Sequence, residues 1–123
     1  MRFMTIYKAP RAVADDEAPQ SAADIARVGA FIEQLAREGV LLVTDGLASS
    51  AKGARVRSDG GKITVVDGPF TESKELVAGY AIINVASKAE AIEVAKRFLA
   101  VVGDGESEVR EMYDAPAFEA GAQ

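Results

Sequence analysis

Apolar residues recur along much of the chain at every second position, a period that predicts β-strands. Six stretches show this alternation or are short and apolar throughout: residues 1–8, 40–44, 54–58, 62–67, 77–85 and 107–113. Two of them flank Asp59-Gly60-Gly61, a composition typical of a hairpin turn. The sequence therefore predicts six strands, the third and fourth of which form a β-hairpin.

The strand predicted over residues 77–85 is apolar on both faces. One face is expected to carry Val77, Ala81, Ile83 and Val85, and the other Tyr80 and Ile82. Because successive side chains of a strand point to opposite faces, this composition indicates a strand that is covered on both sides.

Two further stretches have the period of an α-helix. Ser21 and Ser87 precede them, and each serine is followed three positions later by an acidic residue, which is a pattern typical of a helix N-terminus. Gly39 and Gly103 end the two helices. Residues 9–20, with two prolines and three consecutive acidic residues, are predicted to form an exposed loop.

The element order is β-α-β, then a hairpin, then β-α-β. This order predicts a ferredoxin-like α+β sandwich, with two helices on one face of an antiparallel sheet. Residues 1–113 are expected to form a single domain, and residues 114–123 a flexible tail. Since two helices cover one face and several strands are apolar on both, we expect a homodimer that forms through the open sheet face.

Composition restricts the chemistry. The 123 residues include neither His nor Cys, which excludes a His-containing triad, a thiolate nucleophile and a His/Cys zinc site.

The net charge of −5 disfavours nucleic-acid binding and attachment to an anionic membrane. With no cysteine, no signal-peptide pattern and no long apolar segment, we expect a cytoplasmic protein. The sequence indicates no metal site and no cofactor.

The segment Asp67-Gly68-Pro69-Phe70, called here the DGPF loop, is the first candidate site. Pro69 fixes the backbone and Phe70 is expected to anchor the loop in apolar surface. A purely structural connection between two strands explains this composition. Alternatively the loop presents Asp67 as a general base at a pocket, with the ligand-binding side chains Glu72, Ser73 and Lys74 beside it.

Three cations form a second candidate site. Lys52 lies in a loop rich in serine and glycine that suits an anion, although a solvated connection also explains this composition. Arg55 and Arg57 lie two positions apart on a strand and therefore share a face. They are candidates to bind a small anionic ligand, or else form a solvent-facing row paired with Glu108 or Glu111.

Tyr7 and Tyr80 are candidates to line a cleft, since each lies on an apolar strand. Tyrosines in such positions are also common core residues with a hydrogen-bonded hydroxyl.

Several segments together resemble the DGPF branch of the YCII-related proteins. The segments are Tyr7-Lys8, Asp45-Gly46-Leu47, residues 50–57, residues 67–75, Gly79-Tyr80 and Glu108-Val109-Arg110. The resemblance spans nearly the whole chain and implies a ferredoxin-like subunit of the dimeric α+β barrel type.

The resemblance implies little about function. Members of the wider family have been suggested to be enzymes because of a His–Asp pair, and this chain lacks histidine. Members of the branch are often encoded beside alternative sigma factors. Three hypotheses follow: a dimeric small-molecule-binding or accessory protein with a pocket near the DGPF loop, an enzyme that uses Asp67 on a small anionic substrate, and an interaction module that partners a sigma factor.

Overall fold

The computed structural model describes residues 1–113. The flexible tail expected over residues 114–123 lies outside the described residues. The elements along the chain are β1 (Arg2–Pro10), α1 (Arg11–Ala14), α2 (Ala22–Arg37), β2 (Leu41–Gly46), a 3₁₀ turn (Ser50–Lys52), β3 (Ala54–Asp59), β4 (Lys62–Asp67), β5 (Glu75–Asn84), α3 (Lys88–Val102) and β6 (Glu106–Glu111).

Four strands form the main sheet in the order β2-β5-β1-β6, and every neighbouring pair is antiparallel. Phe3 and Ile83 face each other across β1 and β5 and are the largest fully buried side chains. Leu35 of α2 and Val94 of α3 pack in the same cluster, so both long helices cover the same face. The α+β class, the antiparallel sheet and the one-sided helix layer are therefore confirmed, in an arrangement compatible with a ferredoxin-like fold.

Both long helices begin where the sequence predicts. The hydroxyl of Ser21 accepts a hydrogen bond from the backbone amide of Asp24 at 3.1 Å. The hydroxyl of Ser87 accepts one from the amide of Glu90 at 3.2 Å. Each serine thus satisfies an amide that has no partner inside its helix, which fixes the helix start.

The segment expected to be an exposed loop, residues 9–20, is partly ordered into regular structure. Ala9 is fully buried and pairs with Leu76, so β1 continues to Pro10. One helical turn, α1, follows, and the amide of Arg11 donates to the carbonyl of Lys74 at 2.9 Å. The loop prediction is wrong at residues 9–14 because pairing with β5 outweighs the local preference of proline for a turn.

A β-bulge in β5 changes the predicted facing of one residue. Tyr7 pairs with Gly79 and Lys8 with Val77, so Ala78 is the extra residue. The bulge reverses the alternation and places Val77 opposite Lys8, with 42% of its surface exposed. Simple alternation predicts that Val77 shares the core face of Ala81 and Ile83. Because of the bulge, Val77 lies on the opposite face.

The hairpin predicted around Gly60 and Gly61 is present, and both glycines have positive φ, which favours glycine. Within the described residues, however, β3 and β4 pair only with each other and form a separate two-stranded sheet. We define this unit, residues 54–67, as the hairpin arm. None of the helices between residues 1 and 113 is long and apolar enough to cross a membrane.

Candidate functional site

A cavity of about 600 Å³ lies between the helix layer and the main sheet. Its apolar lining comes from both layers, with Leu35 from α2, Ala95 from α3 and Leu41 from β2 among the residues involved. We call it the larger cavity.

Three aromatic rings line one part of the larger cavity. The rings of Tyr7 and Phe98 are 5.2 Å apart at their centroids in an edge-to-face arrangement. The ring of Phe31 is 6.0 Å from that of Phe98. Because β1, α2 and α3 each contribute one ring, the aromatic wall depends on the packing of the two layers.

The charged residues in the lining of the larger cavity are mostly acidic. Asp16, Asp24 and Asp45 are the acidic residues of the lining, and Arg27 is the one cation among the described lining residues. Asp45 pairs with Tyr80 two positions after Val43 pairs with Ile82, so its side chain lies on the sheet face opposite the helices. Arg27 is already engaged: its Nη2 lies 2.7 Å from an oxygen of Asp24, and its Nε donates to the carbonyl of Val101 at 3.2 Å. The charge of the Arg27 guanidinium is therefore paired with that of Asp24.

Both candidate tyrosines are among the residues that line the larger cavity, but only Tyr7 points its ring to the helix side, against Phe98, whereas Tyr80 shares the opposite sheet face with Ile82. The hydroxyl of Tyr7 donates to the carbonyl of Asp104 at 2.8 Å, and burial, helped by the negative charge of Asp104, raises the pKa of Tyr7. The hydroxyl of Tyr80 donates to Asp45 at 3.1 Å, and this hydrogen bond raises the pKa of Tyr80. Both phenols therefore stay protonated near neutral pH and act as hydrogen-bond donors rather than as bases.

A smaller depression of about 430 Å³ lies beside the DGPF loop. Lys52, Arg55 and Phe70 are among its lining residues. Ala14 and Leu47 line both the smaller depression and the larger cavity, so the two adjoin.

The DGPF loop is held against the turn that follows β2. Asp15 accepts two hydrogen bonds from Ser50, one from the amide at 2.8 Å and one from the hydroxyl at 2.7 Å. The Ser50 hydroxyl in turn accepts from the amide of Phe70 at 3.1 Å, and the amide of Gly68 donates to the carbonyl of Gly53 at 2.9 Å. The two bonds from Ser50 lower the pKa of Asp15, which keeps it ionised as an acceptor.

Arg55 completes this contact network from the hairpin arm. Its guanidinium lies 3.8 Å from the centroid of the Phe70 ring, donates to the hydroxyl of Ser73 at 2.9 Å and pairs with Glu72. A hydrogen bond from its own amide and one from Arg55 lower the pKa of Glu72.

The acidic partner of the arginines differs from the one expected. Arg55 pairs with Glu72, whereas Glu108 pairs with Lys8 and Arg110. The expected row with Glu108 or Glu111 is therefore wrong, because the hairpin arm leaves the main sheet instead of extending it. Arg57 is exposed, and its charge contributes to the lowered pKa of Glu72.

A reaction centred on Asp67 would require Asp67, Tyr80 and Arg55 to lie around one cleft, and the structure separates them. Asp67 is exposed at the end of β4, opposite Ala54, and lines neither cavity. Tyr80 lines the larger cavity and Arg55 the smaller depression. Lys74 is exposed, and its carbonyl accepts the amide of Arg11. Within residues 1–113, no group of three or more acidic side chains is arranged to hold a metal ion.

The chain matches the family model of the YCII-related domain over residues 1–115. It belongs to this family. A search of curated proteins finds no match. Because this YCII-related domain has no histidine, the His–Asp chemistry suggested for the wider family cannot operate in it.

Sequence reasoning missed the polar residues of the larger cavity in the YCII-related domain. Asp16 lies in the segment expected to be an exposed loop, and the residue pattern identifies Asp24 only as part of a helix start. Asp45 lies directly opposite Tyr80 across β2 and β5, a pairing that depends on the bulge at Leu42 in β2. A one-residue change of register is invisible in the residue pattern, so no local signal could have identified that pair.

Proposed function

We propose that this protein is a homodimeric small-molecule-binding protein with an accessory role, and that its ligand occupies the larger cavity. The observation that carries the proposal is the cavity itself. Its volume of about 600 Å³ lies within the range of about 300–1,000 Å³ that is usual for ligand sites. Its lining is apolar over most of the interior, with polar groups that can orient a ligand, as in most small-molecule sites.

The position of the cavity agrees with the expectation of a pocket near the DGPF loop only in part. The smaller depression beside that loop contains Lys52 and Arg55, but Arg55 is occupied by Glu72, Ser73 and the ring of Phe70. Ala14 and Leu47 form the boundary between this depression and the larger cavity. The contacts of the DGPF loop support a structural role for it, next to the site rather than inside it.

Binding is better supported than catalysis. Asp67, the expected base, is outside both cavities, and the phenols of Tyr7 and Tyr80 have raised pKa values. A phenol that remains protonated and hydrogen-bonded does not abstract protons near neutral pH.

The open face of the main sheet supports a dimer. The registers place Met4 and Val43 on either side of Ile82, on the face opposite the helices. Val43, on the edge strand β2, is exposed over 38% of its surface. An apolar sheet face of this kind is commonly buried by a second subunit, as in the dimeric α+β barrel arrangement that the family resemblance implies.

The hairpin arm adds a second exposed apolar surface. Val56, Ile63 and Val65 lie on one face of the arm and are exposed over 67%, 60% and 63% of their surface. An isolated two-stranded hairpin is marginally stable in water, so a partner that covers this face would stabilise it.

The same surface favours a second candidate function, an interaction module that partners a sigma factor, and a monomer in solution would support that candidate.

A cavity-filling variant tests the proposed site. Phenylnaphthylamine, a neutral dye whose fluorescence rises in apolar surroundings, should bind the wild-type protein. Ala95→Leu adds volume inside the larger cavity and should weaken dye binding by at least about tenfold, because the added atoms occupy the space of the ligand. Ala100→Leu makes the same change on the exposed side of α3 and is the matched control.

Native mass spectrometry of freshly purified protein would identify a retained ligand directly. The proposal fails if the folded wild-type protein takes up no dye, or if Ala95→Leu and Ala100→Leu bind it equally well. Circular dichroism on both variants establishes that each is folded.

A further inference from the structure

We infer that the larger cavity takes an uncharged ligand, with an apolar body and a hydroxyl or carbonyl oxygen that accepts a hydrogen bond from the hydroxyl of Thr5. This inference rests on the proposed function, since it concerns the same cavity. Three features of the lining carry it: the small side chains that leave the space, the hydroxyl of Thr5 and the exposure of the charged residues.

The space of the larger cavity follows from a decrease in side-chain size along the helix-facing side of the sheet. On β5 the residues of this face become smaller from Ile83 to Ala81 to Gly79. Their partners on β2 become smaller in the same direction, and all six residues line the cavity: Leu41, Thr44 and Gly46. Ile83 is fully buried, whereas Ala81 is half-buried, so the packed core ends between these two residues and the cavity begins there.

Thr5 places a hydroxyl group on this floor. It lies two positions after the buried Phe3 and pairs with Ala81, so its side chain is on the helix-facing side, and it lines the cavity. Within residues 1–113 the Thr5 hydroxyl has no hydrogen-bond partner. It is not fully enclosed, because the Oγ of Ser107 is the one fully buried polar side-chain atom without a partner among the buried and half-buried residues that the structure describes. The Thr5 hydroxyl is therefore accessible in the cavity.

The protons of the other hydroxyls in the lining are already directed at protein oxygens or lie elsewhere. The hydroxyl of Thr44 donates to the carbonyl of Tyr80 at 2.8 Å, and that of Tyr7 donates to the carbonyl of Asp104 at 2.8 Å. The side chain of Tyr80 lies on the opposite face of the sheet. Among the hydroxyls of the described lining residues, Thr5 thus holds the free donor, and a single polar group on an apolar floor orients a ligand.

The charged residues of the lining lie where water reaches them. The side chains of Asp24 and Arg27 are exposed over 50% and 56% of their surface and pair with each other. Asp16 is exposed, and the side chain of Asp45 lies on the opposite face of the sheet. The charges are therefore outside the interior of the cavity.

The neighbours of Thr5 exclude a charged ligand group at this point. Ala81 and Val109 flank Thr5 on the two adjacent strands, and neither can compensate a charge. A carboxylate or an ammonium group beside Thr5 would lose its hydration without gaining a counter-charge. An uncharged oxygen loses much less hydration, and the hydrogen bond from Thr5 offsets that loss.

Three probes with the same phenylpropyl skeleton test the class of ligand. Phenylpropanol is uncharged, whereas phenylpropylammonium and phenylpropanoate carry opposite charges near neutral pH. Each is titrated into the wild-type complex with phenylnaphthylamine, and its dissociation constant is obtained from the displacement of the dye. Phenylpropanol should bind at least about tenfold more tightly than either ion, because only the ions must bury a charge.

Thr5→Val tests the hydrogen bond, since it removes the hydroxyl and keeps the shape of the side chain. The variant should bind phenylpropanol about fivefold more weakly than the wild type does. Its affinity for butylbenzene, in which a methyl group replaces the hydroxyl of the probe, should be equal or higher. The matched control is Thr64→Val, which makes the same change at an exposed strand position that lines neither cavity. It should bind both probes as the wild type does.

The outcomes separate this inference from the proposed function. If the dye binds but either ion competes as well as phenylpropanol, the ligand class is wrong while the binding function stands. If Thr5→Val weakens the binding of butylbenzene as much as that of phenylpropanol, or changes neither, the role assigned to Thr5 is overturned. If neither the dye nor any probe binds the folded wild-type protein, both proposals fail.

Discussion

Gly68 lies so close to the carbonyl of Ser50 that a Cβ atom built on its α-carbon would be 1.7 Å from that oxygen. Two backbone segments therefore touch at this point, the DGPF loop and the turn after β2. The contact requires a residue without a side chain at position 68. It also explains why the glycine of the signature has a structural role that does not depend on ligand binding.

Gly68→Ala should destabilise the protein by about 3 kcal/mol or more, because one of the two backbones must move and break the hydrogen bonds around it. Urea denaturation of wild type and variant measures the change in the free energy of unfolding. Gly53→Ala is the matched control in the same contact. A Cβ atom at position 53 would lie 3.6 Å from the same Ser50 oxygen, which is an ordinary contact. Gly53→Ala should therefore lower the free energy of unfolding by no more than about 1 kcal/mol. Equal costs for the two variants would contradict the role assigned to Gly68.

Asp15 should make the stability of the protein depend on pH. Hydrogen bonds from the amide and hydroxyl of Ser50 hold its pKa in the folded protein below the ordinary value. The ionised Asp15 therefore stabilises the folded protein fully at pH values above the pKa of an aspartate in the unfolded chain, about 3.9. This stabilisation is lost as the pH falls through the lower pKa that Asp15 has in the folded protein. The difference in unfolding free energy between wild type and Asp15→Asn should be largest near neutral pH and shrink on acidification.

Denaturation curves measured at several pH values between about 7 and 3 test this expectation. Asp59→Asn is the control, because the exposed side chain of Asp59 accepts no hydrogen bond from the described residues. A difference for Asp15→Asn that stays constant over this range would mean that its charge does not stabilise the fold.

Substitution by lysine should change the stability of the protein more at Arg55 than at Arg57. The guanidinium of Arg55 stacks on Phe70 at 3.8 Å while it binds Glu72 and Ser73, and an ammonium group cannot reproduce both contacts. Arg55→Lys should cost about 1 kcal/mol of stability, and Arg57→Lys, at an exposed position, no more than about 0.5 kcal/mol. Chemical denaturation of the two variants gives the comparison, and equal effects would contradict the specific role of Arg55.

The sequence predicts the framework of the fold because the framework depends on local patterns. Ser21 and Ser87 begin their helices through hydrogen bonds to residues three positions away, and Gly60 and Gly61 turn the hairpin through their own backbone freedom. Such interactions are contained within a few residues, so the residue pattern is sufficient to reveal them.

The parts that escaped prediction depend on distant contacts. Asp15 acquires its role from Ser50, 35 positions along the chain, and the facing of Val77 depends on the bulge at Ala78. The larger cavity depends on how the helix layer rests on the sheet, which no single element determines. The residues at the candidate site are therefore predicted in part: Tyr7 faces the cavity, whereas Tyr80 points to the opposite sheet face, Asp16 and Asp24 were missed, and Asp67 lies elsewhere.

Ile82→Lys should dissociate the proposed dimer. Ile82 lies between Met4 and Val43 on the open face, so in a dimer formed through that face a lysine would place an unpaired charge in a dry interface. Size-exclusion chromatography with light scattering should give twice the chain mass of 12.9 kDa for the wild type and a single chain mass for the variant. Ile25→Lys makes the same change on α2, at a position with 57% exposure away from the open face, and should remain dimeric. A wild-type protein that is monomeric at micromolar concentration would overturn the dimer, and loss of the dimer in both variants would show that the open face is not its specific interface.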